Sequence, residues 1–337
     1  MKAVGYTETG PIDRPDALID FEADTPTATG HDLLVKVEAI SVNPVDTKIR
    51  QRRAPKGETP DILGWDAAGK VVGVGEAATN FSIGDRVYYA GAVHRPGTNS
   101  EFHLVDERIV GKAPSSISTS SAAAMPLTTL TAYEMLFDRL RINSPVPGGK
   151  KTLLVIGGGG GVGSITIQLA RALSDMTIIA TASRPETKAW VEELGAHHVV
   201  SHAEPLCRRI EALGVGSIDF VYSTTHSNLY SAEVAGIMTP QGRYGLIDDP
   251  ETFDIMPYKS KAISVHWEFM FTRPMFETAD MQRQGDILNE VAALIDASRI
   301  KSTVAESFGT INAANLIKAH ALLESGKSKG KIVLEGF

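Results

Sequence analysis

Residues 155–170 read VIGGGGGVGSITIQLA. The apolar run TLLVI (152–156) enters five consecutive glycines, and an amphipathic stretch leaves them. Bare backbone between a strand and a helix lets a ligand come where a Cβ would otherwise stand. Gly158, Gly160 and Gly163 satisfy the spacing G-x-G-x-x-G. In that spacing the first glycine permits the tight turn. The second lets a pyrophosphate approach the backbone, and the third lets the helix pack closely on the strand. The phosphates then lie against the start of the helix at Gly161, Val162 and Gly163, where unpaired N–H groups and the helix dipole favour negative charge. The stretch predicts a dinucleotide-binding corner.

The flanking sequence supplies the context this corner needs. After the break SPVPGG (144–149), strands and helices alternate: TLLVI, helix 162–173, TIIAT, helix 186–194, HHVVS, helix 204–213, IDFVYS, helix 228–238 and GRYGLI. Near-continuous apolar strands separated by helices predict an α/β fold with a doubly wound parallel sheet. AISVHWEFMF (262–271) is expected to close that sheet as a further strand. Upstream, DLLVKVEAISV (32–42), DAAGKVVGVG (66–75) and DRVYYAG (85–91) are short strands punctuated by turns, as in a barrel-like or sandwich-like module. AAAMPLTTLTAYEMLFDRL (122–140) reads as one or two helices between the two regions. The tail returns to mixed structure, with helices at 279–298 and 311–325 and a last strand, KIVLEG.

Bulk properties restrict what such a chain can do. Its 337 residues suit two domains. A net charge of −7 with no long Lys/Arg run argues against nucleic acid and anionic membranes as partners, which leaves a small-molecule substrate. The single cysteine, Cys207, excludes an internal disulfide and every multi-cysteine zinc site. MKAVGYTETG lacks an apolar signal region, and a cytoplasmic protein is expected. Residues 152–170 carry no charge for 19 positions, nearly a membrane span, but five glycines and Gln168 lie inside that window.

The second strand of the alternating region ends IIATASRPETK. An NAD-preferring site usually places an acid there for the ribose hydroxyls. Ala182 stands in that position, followed by Ser183 and Arg184. A hydroxyl and a guanidinium suit the 2′-phosphate of NADPH, which an acid would repel. Lys188, one turn further on, adds positive charge. A solvated helix start would account for Arg184 and Lys188 but not for the missing acid. NADPH is therefore the expected cofactor.

The segments SVNPVDTKIR, ILGWDAAGKV, HRPGTNSEFHLVDERIVG, PLTTLTAYEML, GGGGGVG, ATASRPETKAWVEELGAHHVV, LIDDPETFDIMP, HWEFMFTR and SGKSKGKIVLEGF resemble the medium-chain dehydrogenase/reductase superfamily. Within it they are most similar to its zinc-type alcohol dehydrogenase-like subgroup, allied to quinone oxidoreductases. The resemblance covers essentially the whole chain. It implies a GroES-like catalytic domain from residues 1–125 and 273–337, with a Rossmann NADP-binding domain at 126–272 inserted between them. It also implies an active site in the cleft and a homodimer. By the same resemblance Asn43 lies beside the nicotinamide ribose, Thr131 near the nicotinamide phosphate, and His202 beside the adenosine phosphate.

Zinc-dependent relatives hold catalytic zinc with a Cys, a His in Gly-His-Glu and a second Cys. The matching places here carry Asn43, Trp65 and Thr128. Asp46 and Asp66 remain as oxygen ligands, but zinc prefers Cys and His, and no zinc is expected. Trp65 is expected to fill the old metal space and make the pocket apolar, or simply to pack.

Unactivated alcohol oxidation loses its main electrostatic help without a metal. Quinones and α,β-unsaturated carbonyls spread the charge of an added hydride onto a distant oxygen, so a few hydrogen-bond donors suffice. The sequence thus predicts an NADPH-dependent reductase of such acceptors, with Asn43, Trp65 and Tyr89 as candidate catalytic side chains. Tyr89, His94, Tyr133 and bulk water are alternative proton donors. The rival readings are a zinc-dependent alcohol dehydrogenase, and an NADPH-binding sensor or structural protein without useful turnover.

Overall fold

Alternation along one strand organises the first part of the chain. Asp32–Val42 sends Leu33, Val35 and Val37 inward and pairs antiparallel with Asp66–Val74 on one side. Its other side pairs with Lys331–Glu335 and with Phe102–Asp106, both antiparallel. Adding Arg86–Tyr89, Val110–Lys112 and Val304–Ser307 gives a seven-stranded sheet. A three-stranded sheet orders Ile19–Glu22, Lys2–Tyr6 and Asp61–Ile62. The computed structural model describes residues 1–202 and 205–337.

The chain separates into two compact units, one of residues 1–130 and 271–337 and the other of residues 131–270. The sequence divides the chain instead at 125/126 and 272/273. The last strand belongs to the first unit because Ile332–Glu335 registers against Ala39–Val42.

The second unit carries a six-stranded, wholly parallel sheet. Its strands, in spatial order, are 198–200, 177–181, 152–156, 218–223, 238–246 and 264–267. Thr152–Ile156 and Ile218–Ser223 are buried at every position, as expected of strands covered on both faces. Leu154, Ile156, Ile179, Val221, Tyr244 and Leu246 build the core. The intervening helices run 161–173, 185–193, 206–211 and 227–237. The first residue of the helix expected at 204–213 lies outside the described residues. Strand 262–271 is corrected to Ser264–Trp267. Ala262 adopts a left-handed φ of 51°, which no strand tolerates, and the ladder ends where Trp267 pairs with Leu246.

Pro126–Tyr133 is α-helical and continues as a π-helical turn, Glu134–Arg139. There the Leu140 N–H bonds the Met135 carbonyl, five residues back, at 2.8 Å. Among the described residues no helix is long and apolar enough to cross a membrane. The charge-free window divides into strand, glycine turn and helix.

Candidate functional site

In the second unit the glycine turn is pinned to the neighbouring strand. The Gly157 N–H donates to Thr181 Oγ1 at 2.9 Å, and the Gly158 N–H donates to the Thr181 carbonyl at 3.1 Å. The role expected of Gly158 shifts by one residue: Gly157 carries the positive φ, 81°. Gly158 is required for another reason, since a Cβ there would stand 2.9 Å from Ala180 Cβ. A Cβ on Gly163 would stand 2.3 Å from the Gly157 carbonyl oxygen, so this glycine lets the helix close on the turn. Gly160 differs. A Cβ there would have no neighbour nearer than 3.6 Å, so it faces space rather than protein. Helix 161–173 starts from Gly160 with no side-chain cap, leaving N–H groups at Gly161, Val162 and Gly163 for an anion.

Strand 177–181 delivers the next residues to the same corner. Ala182 is buried, and its N–H donates to the Val200 carbonyl at 2.9 Å. Ser183 and Arg184 follow, half-buried. Arg184 precedes helix 185–193, whose first residue is Pro185, and its Nε meets Glu186 Oε1 at 2.9 Å. An acid is therefore present after all, but it binds the guanidinium instead of occupying the strand end. Lys188 is half-buried on this helix. His202 is exposed; partial burial first, then the charge of His226, lower its pKa. The Thr131 carbonyl accepts the Tyr222 hydroxyl at 3.2 Å. The cradle suits a dinucleotide: glycine where contact must be close, unpaired N–H groups, and hydroxyl and guanidinium at the strand end. Ser164 is explained by packing, since it accepts the Trp190 indole N–H at 2.8 Å.

In the first unit, strand register assembles a buried charge cluster. Strands 331–335, 32–42 and 66–74 are neighbours, and the outer two run opposite to the middle one. The starts of the outer strands, Lys331 and Asp66, therefore meet the end of the middle strand and Asn43 just beyond it. Lys331 Nζ donates to Asp66 Oδ2 at 3.0 Å, to the Val42 carbonyl at 3.0 Å, and to Asn43 Oδ1. An ammonium has three donors, and all three are used. Asp66 also accepts from Asn43 Nδ2 at 2.8 Å and from the Leu127 N–H at 2.7 Å, at the start of helix 126–133. Burial pushes the Asp66 carboxyl up, against the pull of Lys331 and these donors. Asp46 accepts the Asn43 N–H at 2.8 Å on Oδ2, while its buried Oδ1 has no partner among the described residues. Burial raises its pKa to about 7.

The other sequence candidates are also buried here. Trp65 donates its indole N–H to the Ala92 carbonyl at 3.1 Å and packs edge-on against Phe271, with ring centroids 6.2 Å apart. The Arg53 guanidinium lies 5.8 Å from the Trp65 ring centroid. Tyr89 stacks on His103, and its hydroxyl meets His103 Nδ1 at 3.1 Å. His103 Nε2 lies 3.0 Å from the Pro96 carbonyl, which fixes Nε2 as the donor and Nδ1 as the acceptor of the tyrosine proton. Burial pushes the Tyr89 phenol far up and the His103 imidazole down to about 4. A cavity of about 580 Å³ lies between Phe21–Asp24, Arg53–Ile62 and His94–Pro96. Its charged lining, Arg53, Lys56, Glu58 and Asp61 among others, does not suit a quinone ring.

Catalytic zinc does not fit these residues. Asn43 Oδ1 and both Asp66 oxygens are engaged, and Thr128 Oγ1 donates to the Met125 carbonyl at 3.2 Å. Trp65 offers only an N–H. Among the described residues, no group of three or more His, Cys, Asp or Glu could hold a metal ion. Lys331, which closes the cluster, was missed by the sequence reading. The signal available was a lysine opening the apolar run KIVLEG.

Two family models match the chain: the alcohol dehydrogenase GroES-like domain over residues 29–115 and zinc-binding dehydrogenase over 194–334. A zinc-type alcohol dehydrogenase-like protein of Staphylococcus aureus (strain MSSA476) is 38% identical over 336 residues, covering 99% of each chain. A chloroplastic quinone-oxidoreductase homolog of Spinacia oleracea is 30% identical, covering 71% of this chain and 75% of its own. The crystal structure of a proposed zinc-dependent alcohol dehydrogenase protein from Rhizobium etli CFN 42 is 54% identical with a TM-score of 0.99, covering 100% of this chain and 98% of its own.

Proposed function

From the premise that the chain belongs to the medium-chain dehydrogenase/reductase superfamily, as an oxidoreductase, we propose that it reduces quinones or α,β-unsaturated carbonyls with NADPH and without catalytic zinc. The observation that carries the cofactor choice is the end of strand 177–181, where Ala182 replaces the acid and Ser183 and Arg184 follow. NADPH, when bound, supplies a hydride from its nicotinamide ring. The chain's own residues bind and orient it. N–H groups of Gly161, Val162 and Gly163 would hold the pyrophosphate, and Ser183, Arg184, Lys188 and His202 would hold the adenosine 2′-phosphate. Thr131 would serve the nicotinamide end.

The acceptor class follows from the donor set. A ketone reduced at its carbonyl carbon develops full alkoxide charge, which a metal ordinarily stabilises. The cluster around Asp66 offers no Lewis acid. A conjugated acceptor places the charge on an enolate or quinol oxygen, which hydrogen-bond donors stabilise adequately. The likeness to a quinone-oxidoreductase homolog supports this class.

Paired titrations of NADPH and NADH on chelator-treated protein test the reading. Wild type should prefer NADPH. Arg184→Ala should weaken NADPH roughly tenfold to a hundredfold, the worth of a charge-assisted hydrogen bond, and leave NADH unchanged. Equal affinities in wild type would instead favour an NAD-linked dehydrogenase. Binding without NADPH consumption across quinones, enals and enones would favour a sensor.

A further inference from the structure

We infer that Arg53 makes the cavity beside Trp65 a carboxylate-binding pocket, so that the conjugated acceptor carries a carboxylate apart from its reacting carbons. The inference rests on the proposed reduction for the acceptor's conjugation and adds the acceptor's charge.

Three observations carry it. The first is rigid placement. Arg53 ends helix 44–52, its carbonyl accepts the Tyr6 hydroxyl at 2.8 Å, and its Nη1 donates to the Val93 carbonyl at 2.9 Å. The guanidinium also lies against the Trp65 ring, 5.8 Å from its centroid. The second is spare bonding capacity. A guanidinium has five N–H donors. Among the described residues Arg53 spends one of them, on Val93, and pairs with no carboxylate. Its Nε is buried without a partner. An orphaned donor costs free energy, and a bound anion that neutralises the guanidinium offsets that cost. The third is position. Arg53 lines the cavity of about 580 Å³, and the fully buried Trp65 beneath it stands where zinc-dependent relatives keep a ligand. A carboxylate on Arg53 therefore lies one aromatic ring from that place.

The other charges of the lining are spent or lie in solvent. Arg95 is committed to Asp32 through two bonds of 2.8 Å. Lys56 is exposed, with its Nζ 3.4 Å from the His94 carbonyl. Asp61 accepts the Lys56 N–H at 3.4 Å, and Glu22, Asp24 and Glu58 are exposed, where water and salt screen them. The half-buried Arg53 is thus the charge that an entering ligand meets away from solvent. A planar guanidinium matches a carboxylate with two parallel hydrogen bonds, which an uncharged quinone cannot accept in that form.

Calorimetric titrations with 4-oxopentanoate and with its methyl ester, on protein free of NADPH, test the pocket by binding alone. Wild type should bind the acid roughly tenfold to a hundredfold more tightly than the ester, the worth of a charge-assisted hydrogen bond. Arg53→Gln should bind the two alike, and Arg53→Lys should recover part of the preference. Equal affinity for acid and ester in wild type overturns the inference and needs no variant to fold. A preference that survives Arg53→Gln also overturns it. With NADPH present, Arg53→Gln should raise KM for 4-oxo-2-pentenoate far more than for its methyl ester, because the lost contact is one that only the acid makes. An equal rise for both would count against the pocket. Acid binding without NADPH consumption would leave the pocket standing and remove the reduction. Reduction of esters and quinones with no preference for the acid would do the reverse.

Discussion

Asp46 is the residue whose ionisation should be visible in stability. Burial raises its pKa to about 7 in the folded protein, above the ordinary carboxylate value of 3.8. Between those values the folded protein holds a proton that the unfolded chain has released. Unfolding free energy therefore falls as pH rises through that window, by up to about 1.4 kcal/mol per pH unit. The extra stability is fully present below the unfolded value and lost as pH passes 7. Asp46→Asn, which keeps an acceptor for the Asn43 N–H, should flatten this slope and melt higher than wild type at pH 8. A melting-temperature series from pH 4 to 8 checks it, and parallel slopes for the two proteins would refute it. Tyr89 yields a second prediction at this scale. Its hydroxyl is committed to His103, and burial holds its proton firmly. Tyr89→Phe should cost about 1–3 kcal/mol of stability by orphaning His103 Nδ1, yet leave kcat and its pH profile nearly unchanged. A hundredfold fall in kcat would make Tyr89 the proton donor.

At the level of elements, the glycine turn separates packing from binding. Gly163 is demanded by the protein, because its missing Cβ would collide with the Gly157 carbonyl and the Gly158 backbone. Gly160 is not, because its φ of −78° suits any residue and its Cβ would meet nothing closer than 3.6 Å. Gly160→Ala should melt like wild type but bind dinucleotide at least tenfold more weakly. Gly163→Ala should lose both stability and binding. Thermal melts and cofactor titrations on the two variants check this, and normal binding by Gly160→Ala would mean that the pyrophosphate does not approach there. The strand–turn–helix was legible because glycine and apolar run mark it in sequence. Strand 264–267 was legible only in part: apolar residues continue to Phe271, but the backbone turns where the ladder to strand 238–246 ends. Apolar character alone does not distinguish a strand from a buried turn.

For the whole molecule the open expectation is a homodimer. The six-stranded sheet ends on strand 264–267, whose outer side has no partner strand among the described residues. Trp267 is 54% exposed and Phe269 50%. An edge strand beside exposed aromatics is a surface that proteins cover or blunt. Sedimentation velocity should give twice the chain mass of 36.1 kDa, and Trp267→Glu should shift the population toward the monomer. A monomeric wild type would remove the proposal.

The sequence alone determined the fold class of both regions and the strand–glycine–helix corner. It could do so because these depend on short-range rules: apolar periodicity, glycine where a Cβ cannot stand, and an acid present or missing at a strand end. It also excluded a cysteine-rich metal site by composition. The tertiary structure decided what long-range pairing alone can set. Lys331 and Asp66 are far apart in the chain, and nothing local to either announces the other. They meet because the C-terminal strand registers antiparallel on strand 32–42, which registers antiparallel on strand 66–74. Likewise the proton order of Tyr89 and His103 follows from the Pro96 carbonyl, which the fold brings to the far side of the imidazole. Partners such as these are fixed by register and burial, so the physical character of the first unit's charged centre became readable only once its three strands were side by side.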